Sequence, residues 1–377
     1  MRIENFDRQS FLSSIKRFVV KVGSAVLSDE KYGINSRRIN AIVRQLAELN
    51  NRYDFIFVTS GAIAAGKSYL GIRGKISSLK EKQAAAAVGQ SKLMQFYEKA
   101  FARYGMKVGQ ILLTHEDLTS RKRYLNAVNT IRTLMNYGVV PIINENDTVS
   151  VDEIRFGDND FLAASLANMI EANLLVLLTD VDGIENRNSK GVSSIVPLVD
   201  RFDKSIFTML DTTTSLLGSG GMTAKVQSAK KAALSGVATL IASGKRRSIL
   251  LDFFAGKECG TLFLPKIERI TRRKHWIGFT MKAKGKIIVD KGAQEALEKK
   301  GKSLLATGIK KIEGKFSEGD SVEISSENGE IFARGLVNYS FSELEKIKGK
   351  KSPEIKKILG RDNVDEVIHR DNLVIIE

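Results

Sequence analysis

From Phe18 to about residue 265 the chain repeats one unit, a short apolar run bounded by small or polar residues and then an amphipathic stretch of helical period. Such an alternation favours parallel strands, because each helix carries the chain back across the sheet before the next strand begins. Helices then cover both faces of the sheet, and its strands are buried on both sides. Phe18-Val19-Val20-Lys21-Val22 reads as the first strand and ends at Gly23-Ser24. Ser36 is expected to cap a helix with Ile39, Ile42, Val43, Leu46 and Leu49 on one face, and residues 55–59 form the next strand. A long helix over 81–104 stops at Gly105, before a strand over 108–113. A helix over 126–137, stopped by Gly138, leads into the apolar run Pro141-Ile142-Ile143 that carries Asn144. Residues 161–172 are helical, 174–178 form a buried strand ending at Thr179-Asp180, and 222–235 form a helix entered from a glycine loop.

The pattern changes after Pro265. Arg269-Ile270-Thr271-Arg272-Arg273-Lys274 is polar and basic, as a linker would be, and short strands with turn signals follow at 285–290, 314–316, 321–324 and 331–337. The expected organisation is an α/β three-layer sandwich with a mostly parallel central sheet over 1–265, a linker over 266–279 and a small β-rich domain over 280–377.

Composition removes several classes of function. Cys259 is the only cysteine and the three histidines (His115, His275, His369) have no zinc spacing, so intramolecular disulfides and thiolate metal clusters are excluded. A metal would be held by oxygen ligands, most simply Mg²⁺. The start, Met1-Arg2-Ile3-Glu4-Asn5-Phe6-Asp7, has acids where a signal peptide has its apolar core, and no apolar run has the length of a membrane span, so a cytoplasmic location is expected. The formal charge of +16 invites a nucleic-acid reading. Yet residues 276–377 hold 19 Lys+Arg against 17 Asp+Glu, so the excess lies in the first part, where it reads as a solvated surface that also attracts anionic substrates.

Chemistry concentrates in five loops. Lys21 ends the first strand beside Gly23-Ser24, and Thr59-Ser60-Gly61-Ala62 ends the second. Asn144-Glu145-Asn146-Asp147 and Gly157-Asp158-Asn159-Asp160 follow the strand at 141–143. Amides and carboxylates at the mouth of an α/β sheet suit a small polar ligand, although an Asx-rich turn would use the same residues. Gly218-Ser219-Gly220-Gly221 opens a helix that continues Met222-Thr223-Ala224-Lys225, an arrangement that lets backbone N–H groups approach phosphate. Gly61-Ala62-Ile63-Ala64-Ala65-Gly66-Lys67-Ser68 matches G-x-x-x-x-G-K-[ST] formally. Its Ala-Ile-Ala-Ala core favours a helix over an open ring of backbone donors, so residues 62–69 are read as a helix and Lys67 as a surface lysine.

Together, Val19-Val20-Lys21-Val22-Gly23, the run from Val58 to Gly66, Ala85-Ala86-Ala87-Val88-Gly89-Gln90-Ser91, Asn144-Glu145-Asn146-Asp147, Gly157-Asp158-Asn159-Asp160 and Gly220-Gly221-Met222 resemble the glutamate 5-kinase family of the amino acid kinase superfamily, with a C-terminal PUA domain. The resemblance implies the amino acid kinase fold and ATP-dependent phosphorylation of the glutamate side-chain carboxylate, the first step of proline synthesis. It implies Ser60, with Gly61, Asp147 and Asn159 as glutamate contacts and Asn144 nearby. Lys21, Gly23, Ser24, Thr179, Asp180 and the run Ser219, Gly220, Gly221, Met222, Thr223, Ala224, Lys225 would line the nucleotide. It further implies Mg²⁺ on the phosphates, a homo-oligomer, proline as feedback inhibitor and a functional link to a glutamyl-phosphate reductase. Ser219 stands where the family usually carries Thr, and residues 181–188 lack the aromatic, Thr and Asp-Pro expected beside a nucleobase.

The chemistry can also be argued without the resemblance. A glutamate side-chain carboxylate is ionised at neutral pH and needs no general base, whereas bringing it to a polyphosphate needs cations. Lys21 and Lys225 are suited to that; that Asp160 holds both, with Asp158 supporting the network, is what the resemblance implies. Ser60 at a helix N-terminus suits a carboxylate, and Asp147 an ammonium. A competing reading is an RNA-binding protein with a vestigial kinase domain, since PUA folds bind RNA; the nearly neutral tail argues against it.

Overall fold

A computed structural model describes residues 6–29, 33–74, 76–149, 158–187, 193–202, 206, 219–265, 277–278, 281–359 and 366–376. The chain divides into two compact units, Met1–Arg269 and Ile270–Glu377. Of the expected linker only Ile277 and Gly278 are described.

The first unit is built on eight strands: β1 (Arg17–Val22), β2 (Asp54–Val58), β3 (Lys107–Leu113), β4 (Val139–Glu145), β5 (Leu174–Thr179), β6 (Leu198–Val199), β7 (Ala238–Ser243) and β8 (Thr261–Phe263). Their order across the sheet is β6-β8-β7-β5-β1-β2-β4-β3. Only the β7/β8 ladder is antiparallel. The helices that matter for the site are α1 (Ser36–Leu49), α2 (Ala62–Tyr69), α3 (Leu79–Ala102), α4 (Arg121–Asn136), α5 (Asp158–Met169) and α6 (Ser219–Leu234).

Strand alternation assigns each side chain to a layer. Phe18, Val20 and Val22 of β1 enter the core that α1 and α3 close with Ile42, Leu46, Leu93 and Tyr97. Val19 points to the opposite core, closed by Leu166 and Ile170 from α5 and its end and by Val226 and Ala229 from α6. Lys21 shares Val19's parity, so the alternation that buries the strand also directs its ammonium to the side of α5 and α6.

One packing contact fixes the entry to α2. Gly66 of α2 and Gly89 of α3 let the two backbones touch: a Cβ on Gly89 would lie 1.8 Å from the Ala62 carbonyl oxygen, and one on Gly66 would lie 1.8 Å from that of Ala85. Only glycine fits such an approach. Residues 62–69 are therefore a packed helix, begun at Gly61 with φ 101°, and not an open phosphate loop. Lys67, in the last turn, is half-buried, more enclosed than a solvated surface lysine.

Several element boundaries differ from the expectation. Asn35, not Ser36, caps α1, accepting a hydrogen bond from the Arg38 N–H at 3.1 Å. Asn144 and Glu145 belong to β4 and do not follow it, because both continue the ladder with Leu112 and Leu113 of β3. Helix α5 starts at Asp158, so Asp158, Asn159 and Asp160 form its first turn, where acidic and amide side chains are favoured. Helix α6 likewise starts at Ser219 and includes the glycines expected in a loop. Gly157 and Gly218 lie outside the described residues.

The second unit has a five-stranded sheet of order β10-β9-β11-β12-β13, from β9 (Gly285–Val289), β10 (Ile309–Gly314), β11 (Ser321–Ser325), β12 (Ile331–Leu336) and β13 (Leu373–Ile375). The strand expected at 314–316 ends at Gly314, whose φ is 96° and whose Cβ would strike the Lys284 carbonyl. Sequence reading passed over the helix Lys291–Lys300, although Asp290 caps it through the Ala293 N–H at 2.8 Å and Gly301 ends it at φ 57°.

Candidate active site

Because β1, β2, β4 and β5 are parallel neighbours, their carboxyl ends lie along one edge of the sheet. In such sheets that edge is where ligands bind. Two groups of side chains meet there.

The first group is ionic. Lys21 Nζ lies 2.5 Å from Asp160 Oδ1, and Lys225 Nζ lies 3.0 Å from Asp160 Oδ2. Lys225 also donates to the Gly221 carbonyl at 3.3 Å. Asp160 is fully buried and Lys21 is 5% exposed. Burial pushes the Asp160 carboxyl up, but Lys21 and Lys225 together outweigh it and hold the group below the usual carboxylate range. Burial, joined by repulsion from Lys225, lowers Lys21 in spite of Asp160. Two ammonium groups and one carboxylate leave a net positive charge at the sheet edge, which suits an anionic ligand.

The second group is a chain of amides. Asn144 Nδ2 donates to Gln90 Oε1 at 2.8 Å, and Asn144 Oδ1 accepts from the Glu145 N–H at 2.9 Å. Asn159 Nδ2 donates to Asn144 Oδ1 at 3.1 Å and to Ser60 Oγ at 3.0 Å. Asn159 and Asp160 are consecutive in the first turn of α5, so one helix start joins both groups.

The remaining candidates stand around them. The Gly23 N–H donates to the Leu178 carbonyl at 3.0 Å, and a Cβ on Gly23 would lie 3.8 Å from Lys21 Nζ, so the backbone passes close to the cation. Ser24 is the exposed first residue of a one-turn helix. Thr179, buried at the end of β5, donates to the exposed Asp180 at 3.1 Å. Gly61 precedes α2 with positive φ, and Asp147, half-buried, sits in the turn after β4. Gly221, Met222, Thr223 and Ala224 are half-buried in the first turns of α6; of Ser219, Gly220 and Asp158 only the helical backbone is described.

Sequence reading gave no role to three buried polar groups here. Gln90, 8% exposed, lies on the buried stripe of α3 with Ala86, Leu93 and Tyr97, and a polar residue on an apolar stripe was the available signal. Tyr97 Oη and Thr59 Oγ1 are 2.6 Å apart and buried, tying α3 to the residue before Ser60. Among the described residues, no group of three or more His, Cys, Asp or Glu side chains could hold a metal ion, and no helix is long and apolar enough to cross a membrane.

Residues 16–243 match the amino acid kinase family, and residues 285–359 match the PUA domain. The chain belongs to the amino acid kinase family. Its curated relatives include proteins named glutamate 5-kinase from Geobacter sulfurreducens, 49% identical over 98% of this chain and 100% of the relative, and from Syntrophus aciditrophicus, 47% identical over 99% and 97%. A third, from Syntrophotalea carbinolica, is 48% identical over 98% and 99%. The amino acid kinase match covers β1 through β7, and thus every strand that borders the two groups of side chains.

Proposed function

We propose that this protein transfers the γ-phosphoryl group of ATP to the side-chain carboxylate of L-glutamate, giving glutamyl 5-phosphate, the first step of proline biosynthesis. The observation that carries the reading is the Lys21–Asp160–Lys225 bridge beside the Ser60–Asn159–Asn144 chain, a cationic centre next to a row of hydroxyl and amide side chains at one sheet edge. The three relatives named glutamate 5-kinase, matched over nearly their whole lengths, support it.

In this reading a glutamate carboxylate oxygen attacks the γ-phosphorus, forming one P–O bond as the bond to the β,γ-bridging oxygen breaks, and ADP leaves with that electron pair. No proton moves, since the nucleophile is already ionised. Lys21 and Lys225 offset the charge on the transferring group, and Asp160 holds the two ammonium groups in place without the entropy each would otherwise lose. Asp158 supports that arrangement. Ser60 and Gly61, at the start of α2, receive a substrate carboxylate; Asp147 and Asn159 receive the α-ammonium, with Asn144 beside them. Gly23, Ser24, Thr179, Asp180 and residues 219–225 border the nucleotide. Mg²⁺ would enter with ATP and offset charge on its phosphates; among the described residues no group of three or more His, Cys, Asp or Glu side chains could cage it.

The division into a kinase domain over 1–265, a linker over 266–279 and a PUA-like domain over 280–377 belongs to the same reading. So do a cytoplasmic location, a homo-oligomer, feedback inhibition by proline and delivery of the labile acyl phosphate to a reductase. Incubation with Mg-ATP and candidate acceptors, trapping acyl phosphate with hydroxylamine, tests the activity. L-Glutamate should give hydroxamate while aspartate, N-acetylglutamate and UMP give no product. Turnover of N-acetylglutamate comparable to that of glutamate would overturn the role of the free ammonium.

A further inference from the structure

The orientation of the amide chain is dictated by one backbone group. The N–H of Glu145 can only donate, so the Asn144 atom facing it at 2.9 Å is Oδ1. Asn144 Nδ2 then points at Gln90, whose facing atom at 2.8 Å must accept and is Oε1. Because Asn144 Oδ1 also receives Asn159 at 3.1 Å, the Asn159 atom there is Nδ2. That leaves Asn159 Oδ1 turned away, buried, with no hydrogen-bond partner among the described residues. The other proton of Asn159 Nδ2 goes to Ser60 Oγ, which frees the Ser60 hydroxyl proton to donate elsewhere. The chain thus leaves one free donor proton at Ser60 and one unmet acceptor at Asn159, the complement of a carboxylate and an ammonium.

We propose that Gln90, which lies outside the contacts expected for either substrate, is a positioning residue that sets this polarity. Its Oε1 is the partner of Asn144 Nδ2. Without it, a buried N–H donor loses its acceptor, and the side chain relieves that cost by rotating, which breaks the contact with Asn159. Asn159 is then released to turn its amide, so that a donor can face the substrate ammonium. Gln90 is held by its own helix: α3 touches α2 through Gly89, the preceding residue, and two turns later Tyr97 meets Thr59 at 2.6 Å. Thus α3 grips the carboxyl ends of β2 and β4 by two polar contacts on one face. Gln90 Nε2 has no partner among the described residues, so what the residue contributes within the chain is its oxygen.

The inference rests on the glutamate reading above and can fail separately from it. The test is steady-state kinetics of Gln90→Met, close in volume but without an acceptor oxygen, after circular dichroism has established that it is folded. KM for glutamate should rise about tenfold, the scale of one lost charge-assisted contact, with KM for ATP within about twofold. Gln90→Glu is the second variant. A carboxyl there keeps an acceptor oxygen for Asn144 Nδ2 whether protonated or ionised, so KM for glutamate should stay within about threefold of wild type. An unchanged KM in Gln90→Met, or equal rises for glutamate and ATP, overturns the assignment. If Gln90→Met does not fold, a tenfold or greater rise in Gln90→Glu overturns it, and retention of KM supports it. Wild-type protein that forms no hydroxamate from glutamate would instead sink the activity itself.

Discussion

Replacing Gly89 with Ala would test whether the contact between α2 and α3 holds the substrate pocket in place. The added Cβ would lie 1.8 Å from the Ala62 carbonyl oxygen and 2.4 Å from the Gly66 nitrogen. Both are backbone atoms of a helix, and neither can rotate away. Reaching an ordinary contact of 3.4 Å requires the helices to part by about 1.6 Å, the difference between 3.4 and 1.8. Overpacking usually costs about 1–3 kcal/mol, and a clash between two backbones belongs at the upper end or beyond. The functional loss should be larger, because only Gly61 separates Ser60 from α2 and a misplacement near 1 Å can cost about 10²-fold in rate. Urea unfolding followed by circular dichroism gives the first quantity and hydroxamate formation the second. Ala87→Gly, at an exposed position of α3, is the control: it should cost about 1 kcal/mol in helix propensity and leave turnover unchanged. If Gly89→Ala unfolds within 1 kcal/mol of wild type and keeps kcat/KM for glutamate within about threefold, the reasoning is refuted.

Two further outcomes follow from the ionic centre. Lys21→Ala should lower kcat by about 10²-fold or more, as for other removed transition-state partners, while Lys67→Ala should change it little; the reverse order would restore the P-loop reading. Asp160→Asn leaves two cations facing each other with no buried anion and should cost about 3–5 kcal/mol at pH 7. The folded Asp160 carboxyl is held below its ordinary value, so its contribution is present above that value and lost as pH falls through the folded one. Urea unfolding at pH 7 and pH 3 should therefore show the gap between wild type and Asp160→Asn narrowing in acid, and a gap that stays constant would rule this account out.

Lys21 is legible in the sequence as the cation that ends the first strand, and its shared parity with Val19 needs no tertiary information because strand alternation is local. The α/β layering was legible for the same reason. The junctions are less so: the described parts of α5 and α6 begin three residues before the expected starts, because Gly-Asp-Asn-Asp and Gly-Ser-Gly-Gly have the composition of turns when their helix contacts are unknown. Gln90 and Tyr97 carried no assignable role because their partners, Asn144 and Thr59, are 54 and 38 residues away. Nor could the 1.8 Å approach of Gly89 be read from Ala-Val-Gly-Gln, which equally describes an ordinary helix.

The position of β1 between β2 and β5 also has a kinetic consequence. Phe18 pairs with Phe55 on one side and with Leu174 on the other, so one edge of the central strand can close early and the other only after more than a hundred further residues have been made. Until then a strand of Phe, Val and Lys stands with its hydrogen-bonding edge open, the condition under which chains pair with the wrong neighbour. Lys21 and Asp160 cannot meet before that second edge forms, and Lys225 arrives later still. On the ribosome the cationic centre is thus assembled late, and long-range parallel pairing, rather than helix formation, sets the pace of acquiring it.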